Sequence, residues 1–214
     1  MNANQLNLDP ARTALVNVHW QQDIVTAHGA FAPFFADAVQ RHGVIDSTRS
    51  LVQAARESGV PVIWARAAFR PGYPELLMNT GLDHAIKDLN ALVDGSPGAQ
   101  IIDELTPLDS ETVVSHPGTS AFPTTPLDSI LRRLGIETVL FTGVATNITV
   151  EGTARDAVNL GYRAVIVSDA CAAATDAAHD ATLETFSLLG QTATVEEIRA
   201  ALQDVTVQPA GSAR

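Results

Sequence analysis

The chain has 214 residues, of which 46% are hydrophobic and 17% charged, so one domain with a full core is expected and wholesale disorder is excluded. Its formal net charge of -11, from 24 acidic against 13 basic residues, excludes a phosphate-backbone binder, which needs clustered Lys and Arg. No window approaches the roughly 18 uninterrupted apolar residues of a membrane span. Residues 1–10 show no basic stretch leading into an apolar one, so no secretory signal is expected. Cys171 is the only cysteine, which suits a reducing compartment. The expectation is a soluble, cytoplasmic protein: an N-terminal extension over 1–10, one domain over 11–203 and a tail over 204–214.

In chain order, short runs rich in Val and Ile predict strands over 13–18, 61–66, 111–114, 138–142, 163–167 and 192–194. Helical spacing predicts helices over 45–57, 127–134, 147–160 and 176–189, and each closes near a glycine: Gly59, Gly135, Gly161 or Gly190. This alternation predicts a parallel α/β sheet with helices on both faces. Two stretches break the rhythm, 28–41, rich in Phe and Ala, and 69–90, with Phe69-Arg70-Pro71-Gly72-Tyr73-Pro74. Insertions after the first two strands of such a fold lie near the carboxyl edge, where ligands bind.

No Gly-rich fingerprint follows the first strand, which ends in His19-Trp20-Gln21-Gln22-Asp23, so dinucleotide and P-loop binding have no support. No His-x-x-x-His or Cys-x-x-Cys spacing indicates a structural zinc site. His19 ends the first strand, His116 follows the third, and Gly143-Val144-Ala145-Thr146-Asn147 leads from the fourth to a helix with Thr149 in its first turn. These carboxyl ends can be neighbours, bringing two imidazoles and a hydroxyl to one crevice. Read singly, His19 is a hydrogen-bonded core histidine, Thr149 a cap and Asp23 a surface charge. Trp20, Phe69, Tyr73 and Phe122 are candidate pocket walls as well as ordinary core aromatics. Arg70 suits a substrate carboxylate or braces its own loop. His28, His42, His84 and His179 read as solvated, and Cys171 as a small buried residue.

Several of these segments together resemble the isochorismatase-like, or cysteine hydrolase, superfamily. The likeness runs from about residue 11 to 203 and is carried by Ser120-Ala121-Phe122 with Thr125 and Leu127, then Leu134-Gly135-Ile136 and Thr142-Gly143-Val144-Ala145-Thr146-Asn147. It continues through residues 150–157, Gly161-Tyr162-Arg163 and Ser168-Asp169-Ala170-Cys171. The resemblance implies a six-stranded parallel sheet in homodimers or homotetramers and an Asp-Lys-Cys triad. At the matching positions stand His19, His116 and Thr149. It also implies an oxyanion hole from the backbone N–H groups of Ala145 and Thr149, next to a non-proline cis peptide between Val144 and Ala145.

The expected function is hydrolysis of an amide, ester or related bond in a small molecule. His19 serves as base or acid, His116 as the second acid/base, and Thr149 as nucleophile or water-positioning hydroxyl. Trp20, Gln21, Phe69, Arg70, Tyr73, Phe122 and Asn147 are the expected substrate contacts. No cofactor is expected, because two histidines without a carboxylate make a thin metal-ligand set. The alternative is a catalytically silent member that binds a small ligand or a partner protein.

Overall fold

A computed structural model describes residues 6–207, so parts of the expected N-terminal extension and C-terminal tail lie outside the described residues. Leu8 is buried in the core, which packs this end of the extension against the domain. Six parallel strands form one sheet: β1 (Thr13–Val18), β2 (Val62–Ala67), β3 (Thr112–His116), β4 (Thr138–Val144), β5 (Arg163–Ala172) and β6 (Gln191–Ala193), in the order β3-β2-β1-β4-β5-β6. Every residue of β1 and β4 is buried, as continuous apolar runs in a sheet covered on both faces require.

Alternation along β1 sends Leu15 to one core and Ala14, Val16 and Val18 to the other. The first core takes in α3 (Val44–Glu57) through Leu51, Val52 and Ala55, and α8 (Val195–Val207) through Ile198 and Leu202. The second takes in α5 (Leu127–Arg133), α6 (Glu151–Asn159) and α7 (Asp176–Phe186) through Leu131, Ala154 and Phe186. Among the described residues, no helix is long and apolar enough to cross a membrane.

The structure adds elements that the pattern does not predict. The stretch between β1 and α3 holds α1 (Gln22–Val25) and α2 (Ala32–Arg41), and the stretch between β2 and β3 holds α4 (Gly81–Asp88). Helix α8 starts on a reciprocal cap: Thr194 Oγ1 accepts from Glu197 N at 3.2 Å and Glu197 Oε2 accepts from Thr194 N at 2.7 Å. Strand β5 runs five residues beyond the expected Val167, to Ala172. Asp169 interrupts its apolar run but accepts from Val195 N at 2.8 Å, and Ala170, Cys171 and Ala172 then return to the core.

The strand order reverses at β1, which pairs with β2 on one side and β4 on the other. Ligands of open α/β sheets bind outside the carboxyl ends of the strands at such a point.

Candidate active site

The switch point is built first by backbone. Gly143 has φ 142, and a Cβ there would lie 2.1 Å from the carbonyl oxygen of Val18. Only glycine lets β4 approach β1 this closely and leave the sheet in this direction. The peptide between Val144 and Ala145 is cis. A π-helical turn over Thr146–Val150 follows, and the Ala145 carbonyl accepts from Ile148 N and Val150 N, both at 3.2 Å. One-turn π segments are frequent at functional sites. Thr149 is buried here, its carbonyl accepting from Thr153 Oγ1 at 2.6 Å, while Thr153 Oγ1 accepts from Ala121 N at 3.1 Å. That link ties the loop after β3 to α6. Gly152 allows the same approach, since a Cβ there would meet the Thr119 carbonyl oxygen at 2.6 Å.

The second part is a histidine pair. His19, directly after β1, lies in the left-handed region, φ 61, a conformation uncommon for a residue with a Cβ and concentrated at functional sites. Its Nε2 lies 3.1 Å from His116 Nε2, and the ring centroids are 4.9 Å apart with planes 17° from parallel. His116 Nδ1 lies 3.0 Å from the Gly118 carbonyl oxygen.

A carbonyl only accepts, so His116 carries its proton on Nδ1 and offers a lone pair at Nε2. His19 must then donate from Nε2, which leaves Nδ1 as its basic nitrogen. Burial, and then the neighbouring His116, hold the His19 pKa well below the ordinary histidine value. Burial also pushes His116 down to about 4, against the opposing effect of the Gly118 carbonyl. Both rings are therefore neutral at pH 7, in one assigned tautomer each.

A cavity of about 780 Å³ opens over these elements. His19, Val144, Ala145, Ile148 and Thr149 line it from the switch point, and Pro117 to Ser120 line it from the loop after β3. Most of the remaining wall comes from the two insertions, with Phe31, Phe34 and Phe35 on one side and Phe69, Leu76, Leu77, Leu82 and Ile86 on the other. The structure thus brings His19 and Thr149 to one wall, with His116 hydrogen-bonded to His19 and not itself lining it. The Thr149 hydroxyl makes no hydrogen bond to His19 or His116.

Of the expected substrate contacts, Phe69 lines the cavity and the others lie outside its lining. Trp20 is buried and donates from Nε1 to Thr142 Oγ1 at 3.1 Å, and Thr142 donates in turn to Asn17 Oδ1 at 2.8 Å. Gln21 braces the end of β2: its Nε2 donates to the carbonyls of Ala67 at 2.7 Å and Ala99 at 3.0 Å, and its Oε1 accepts from Ala67 N at 2.8 Å. Arg70 turns outward and pairs with Glu75. Tyr73 is buried, its hydroxyl donating to the Ala91 carbonyl at 2.8 Å. Phe122 packs in the second core against Tyr162, and Asn147 is exposed.

Other single-residue expectations also change. Asp23 is half-buried and accepts from Leu92 N at 2.7 Å, so it joins the two insertions instead of standing on the surface. His42 and His179 are not simply solvated, since His42 Nε2 lies 2.9 Å from Asp176 Oδ1 and His179 Nδ1 lies 2.9 Å from Thr146 Oγ1. Cys171, by contrast, is the small buried residue expected, set in β5 with its thiol pushed up to about 12 by burial. Lys87 sits near the end of α4, outside the cavity lining.

Sequence reasoning placed the insertions near the ligand edge but missed their helices. Phe31, Phe34 and Phe35, like Leu82, Ala85 and Ile86, stand at i, i+3, i+4, the spacing of one helical face. Pro33 near the start of α2, and Thr80 capping α4 by accepting from Asp83 N at 3.1 Å, are matching start signals. For a metal, the histidine pair offers two nitrogens. Among the described residues no group of three or more His, Cys, Asp or Glu side chains is placed to hold an ion.

Residues 13–197 match the isochorismatase domain family. The ureidoacrylate amidohydrolase RutB of Methylobacterium radiotolerans is 34% identical over 221 residues, covering 96% of this chain and 85% of that protein. Among solved structures, a cysteine hydrolase from Pseudomonas syringae pv. phaseolicola superposes with a TM-score of 0.82 at 26% identity, covering 95% of this chain and 99% of that one. The N-carbamoylsarcosine amidase of Thermoplasma acidophilum gives a TM-score of 0.71 at 28% identity, covering 86% and 97%.

Proposed function

The chain belongs to the isochorismatase family, and from that premise we propose that it hydrolyses an amide bond of a small molecule with His19 as general base. The names of its relatives, an amidohydrolase and an amidase, support the reaction class. The observation that carries the role of His19 is the chain Gly118 C=O, His116, His19, with contacts of 3.0 and 3.1 Å, which fixes the tautomer of a buried, neutral imidazole on the cavity wall.

In the proposed cycle, His19 Nδ1 takes a proton from a water as its oxygen adds to the amide carbonyl. The N–H groups of Ala145 and Thr149 receive the developing oxyanion. His19, now cationic, is held by donating from Nε2 to His116, and returns the proton to the departing nitrogen as the C–N bond breaks. The Thr149 hydroxyl positions the water. A direct attack by Thr149 has less support, because no base is hydrogen-bonded to that hydroxyl. The same reading includes a small-molecule substrate, a cytoplasmic location and assembly as a homodimer or homotetramer.

The test is ammonia or amine release from a panel of primary amides, ureas and N-carbamoyl compounds by wild type, His19→Ala and Thr149→Ala. Loss of base and of the aligned proton relay predicts a drop of about 10²–10⁴-fold for His19→Ala and a smaller one for Thr149→Ala. An acyl adduct on Thr149 in the mass spectrum would make it the nucleophile and overturn the water mechanism. A second reading, a family member that binds a ligand without turning it over, is favoured by the unbonded Thr149 hydroxyl. Silence across the panel, with ligand binding retained, would establish it.

A further inference from the structure

The charge and shape of the cavity lining bear on what fills it. The lining contains no Lys or Arg, while three carboxylates, Glu75, Asp83 and Asp156, do line it. Arg70, the cation that the sequence places nearest, points away and is consumed by Glu75. The apolar wall is large and aromatic, with Phe31, Phe34, Phe35 and Phe69 beside Leu76 and Leu92 in a space of about 780 Å³. This is near the upper end of what small-molecule sites occupy. Leu77 and Phe34 are 80% and 54% exposed, so the cavity rim offers apolar surface that a ligand would cover.

We infer that this site selects an uncharged amide carrying a bulky apolar group, and rejects amides that carry a carboxylate. The inference rests on the amide-hydrolase reading for the word amide only. The selectivity follows from the lining alone. A carboxylate entering this space would shed its water against Phe and Leu side chains, and the charged side chains it would meet are Glu75, Asp83 and Asp156, with no guanidinium or ammonium in the lining to pair with; Asn79, Thr80, Thr119, Ser120 and Thr124 offer it neutral groups only. A phenyl or comparable group would bury its surface against Phe31, Phe34 and Phe69, where aromatic edges and faces add to area burial. The switch-point wall supplies the polar groups, from His19 and the amides of Ala145 and Thr149, that would orient the reacting amide.

The experiment compares 4-phenylbutanamide, butanamide and succinamate, which share a primary amide and differ in apolar bulk and charge. Binding is read by calorimetry on His19→Ala, so that turnover does not intrude, and ammonia release is read on wild type. The expected result is that 4-phenylbutanamide binds at least tenfold tighter than butanamide, and butanamide tighter than succinamate. Leu77→Arg puts a cation into the lining at a solvent-exposed position that the fold tolerates, and should improve succinamate binding at least fivefold where Leu77→Gln does not. Succinamate binding as tightly as 4-phenylbutanamide, or no binding by any of the three, overturns the inference. The predicted binding order without ammonia release would sink the hydrolase reading and leave the selectivity standing.

Discussion

The cavity wall that carries His19, Ala145 and Thr149 is held by backbone. There, β1 and β4 touch through a position where no Cβ fits, and Thr153 links α6 to the loop after β3 through contacts of 2.6 and 3.1 Å. The wall built from the two insertions is joined at its base by polar bonds, Leu92 N donating to Asp23 at 2.7 Å and Phe69 N to the Leu92 carbonyl at 3.0 Å, but its apolar side chains meet the cavity through packing alone and leave Leu77 and Phe34 largely in water. The first wall cannot shift without breaking buried hydrogen bonds, whereas exposed side chains of the second, such as Leu77 and Phe34, can exchange one apolar contact for another. Reaction geometry has to be kept to fractions of an ångström, while recognition of an apolar group is non-directional. On the proposed reading, chemistry falls to the backbone-held wall and apolar recognition to the side chains of the insertions.

Gly143→Ala breaks the contrast most directly. Its Cβ would overlap the Val18 carbonyl oxygen at 2.1 Å from a backbone at φ 142, and neither strand can yield without losing sheet pairing. A loss of about 3 kcal/mol or more is expected in urea unfolding. Leu77→Ala, on the other wall at 80% exposure, should stay within about 0.5 kcal/mol. Similar small losses for both would mean that the two walls do not differ in kind.

The histidine pair makes the same wall sensitive to pH. Folding lowers the His116 pKa from 6.5 to about 4 and moves His19 in the same direction. Between these values the unfolded chain binds protons that the folded one does not, so stability falls as pH drops from about 6.5 toward 4 and is fully present above it. His116 alone accounts for something on the order of 3 kcal/mol over that window. Unfolding midpoints measured from pH 4 to 8 should show the slope, and His116→Gln should remove about one proton from it. An unchanged slope in that variant would assign the acid sensitivity to other groups.

Much of the switch-point wall is legible from sequence, and most of the insertion wall is not. The convergence of His19, His116 and Thr149 is legible because strand ends are readable from apolar runs, and carboxyl ends of a parallel sheet converge by topology. What could not be read was where a side chain turns after its strand. Trp20 and Gln21 directly follow His19, yet the left-handed turn at His19 takes one to Thr142 and the other to Ala67. Helices α2 and α4 carry only short apolar faces and sit between residues without a period. Their spacing is visible once known but is outweighed by Gly and Pro around it. Cys171 was read as a buried residue; β5 runs past Asp169 and carries that thiol into the sheet, with its pKa at about 12.

Arg70 sharpens the comparison with the smallest expected effect. Sequence alone allows it to grip a substrate carboxylate, and in the structure it is 72% exposed, donates to Glu75 and stays outside the cavity lining. Exposed ion pairs contribute little, so Arg70→Ala should change turnover of a neutral amide by less than about twofold. Glu75 does line the cavity, and its pairing with Arg70 lowers the carboxyl pKa. Removing the guanidinium therefore leaves that carboxylate unpaired beside the ligand space. The variant should reject succinamate somewhat more strongly than wild type does, in calorimetric titrations run in parallel. A loss of neutral-amide turnover comparable to that of His19→Ala would instead put Arg70 at the substrate, and would make the insertion wall part of the chemistry.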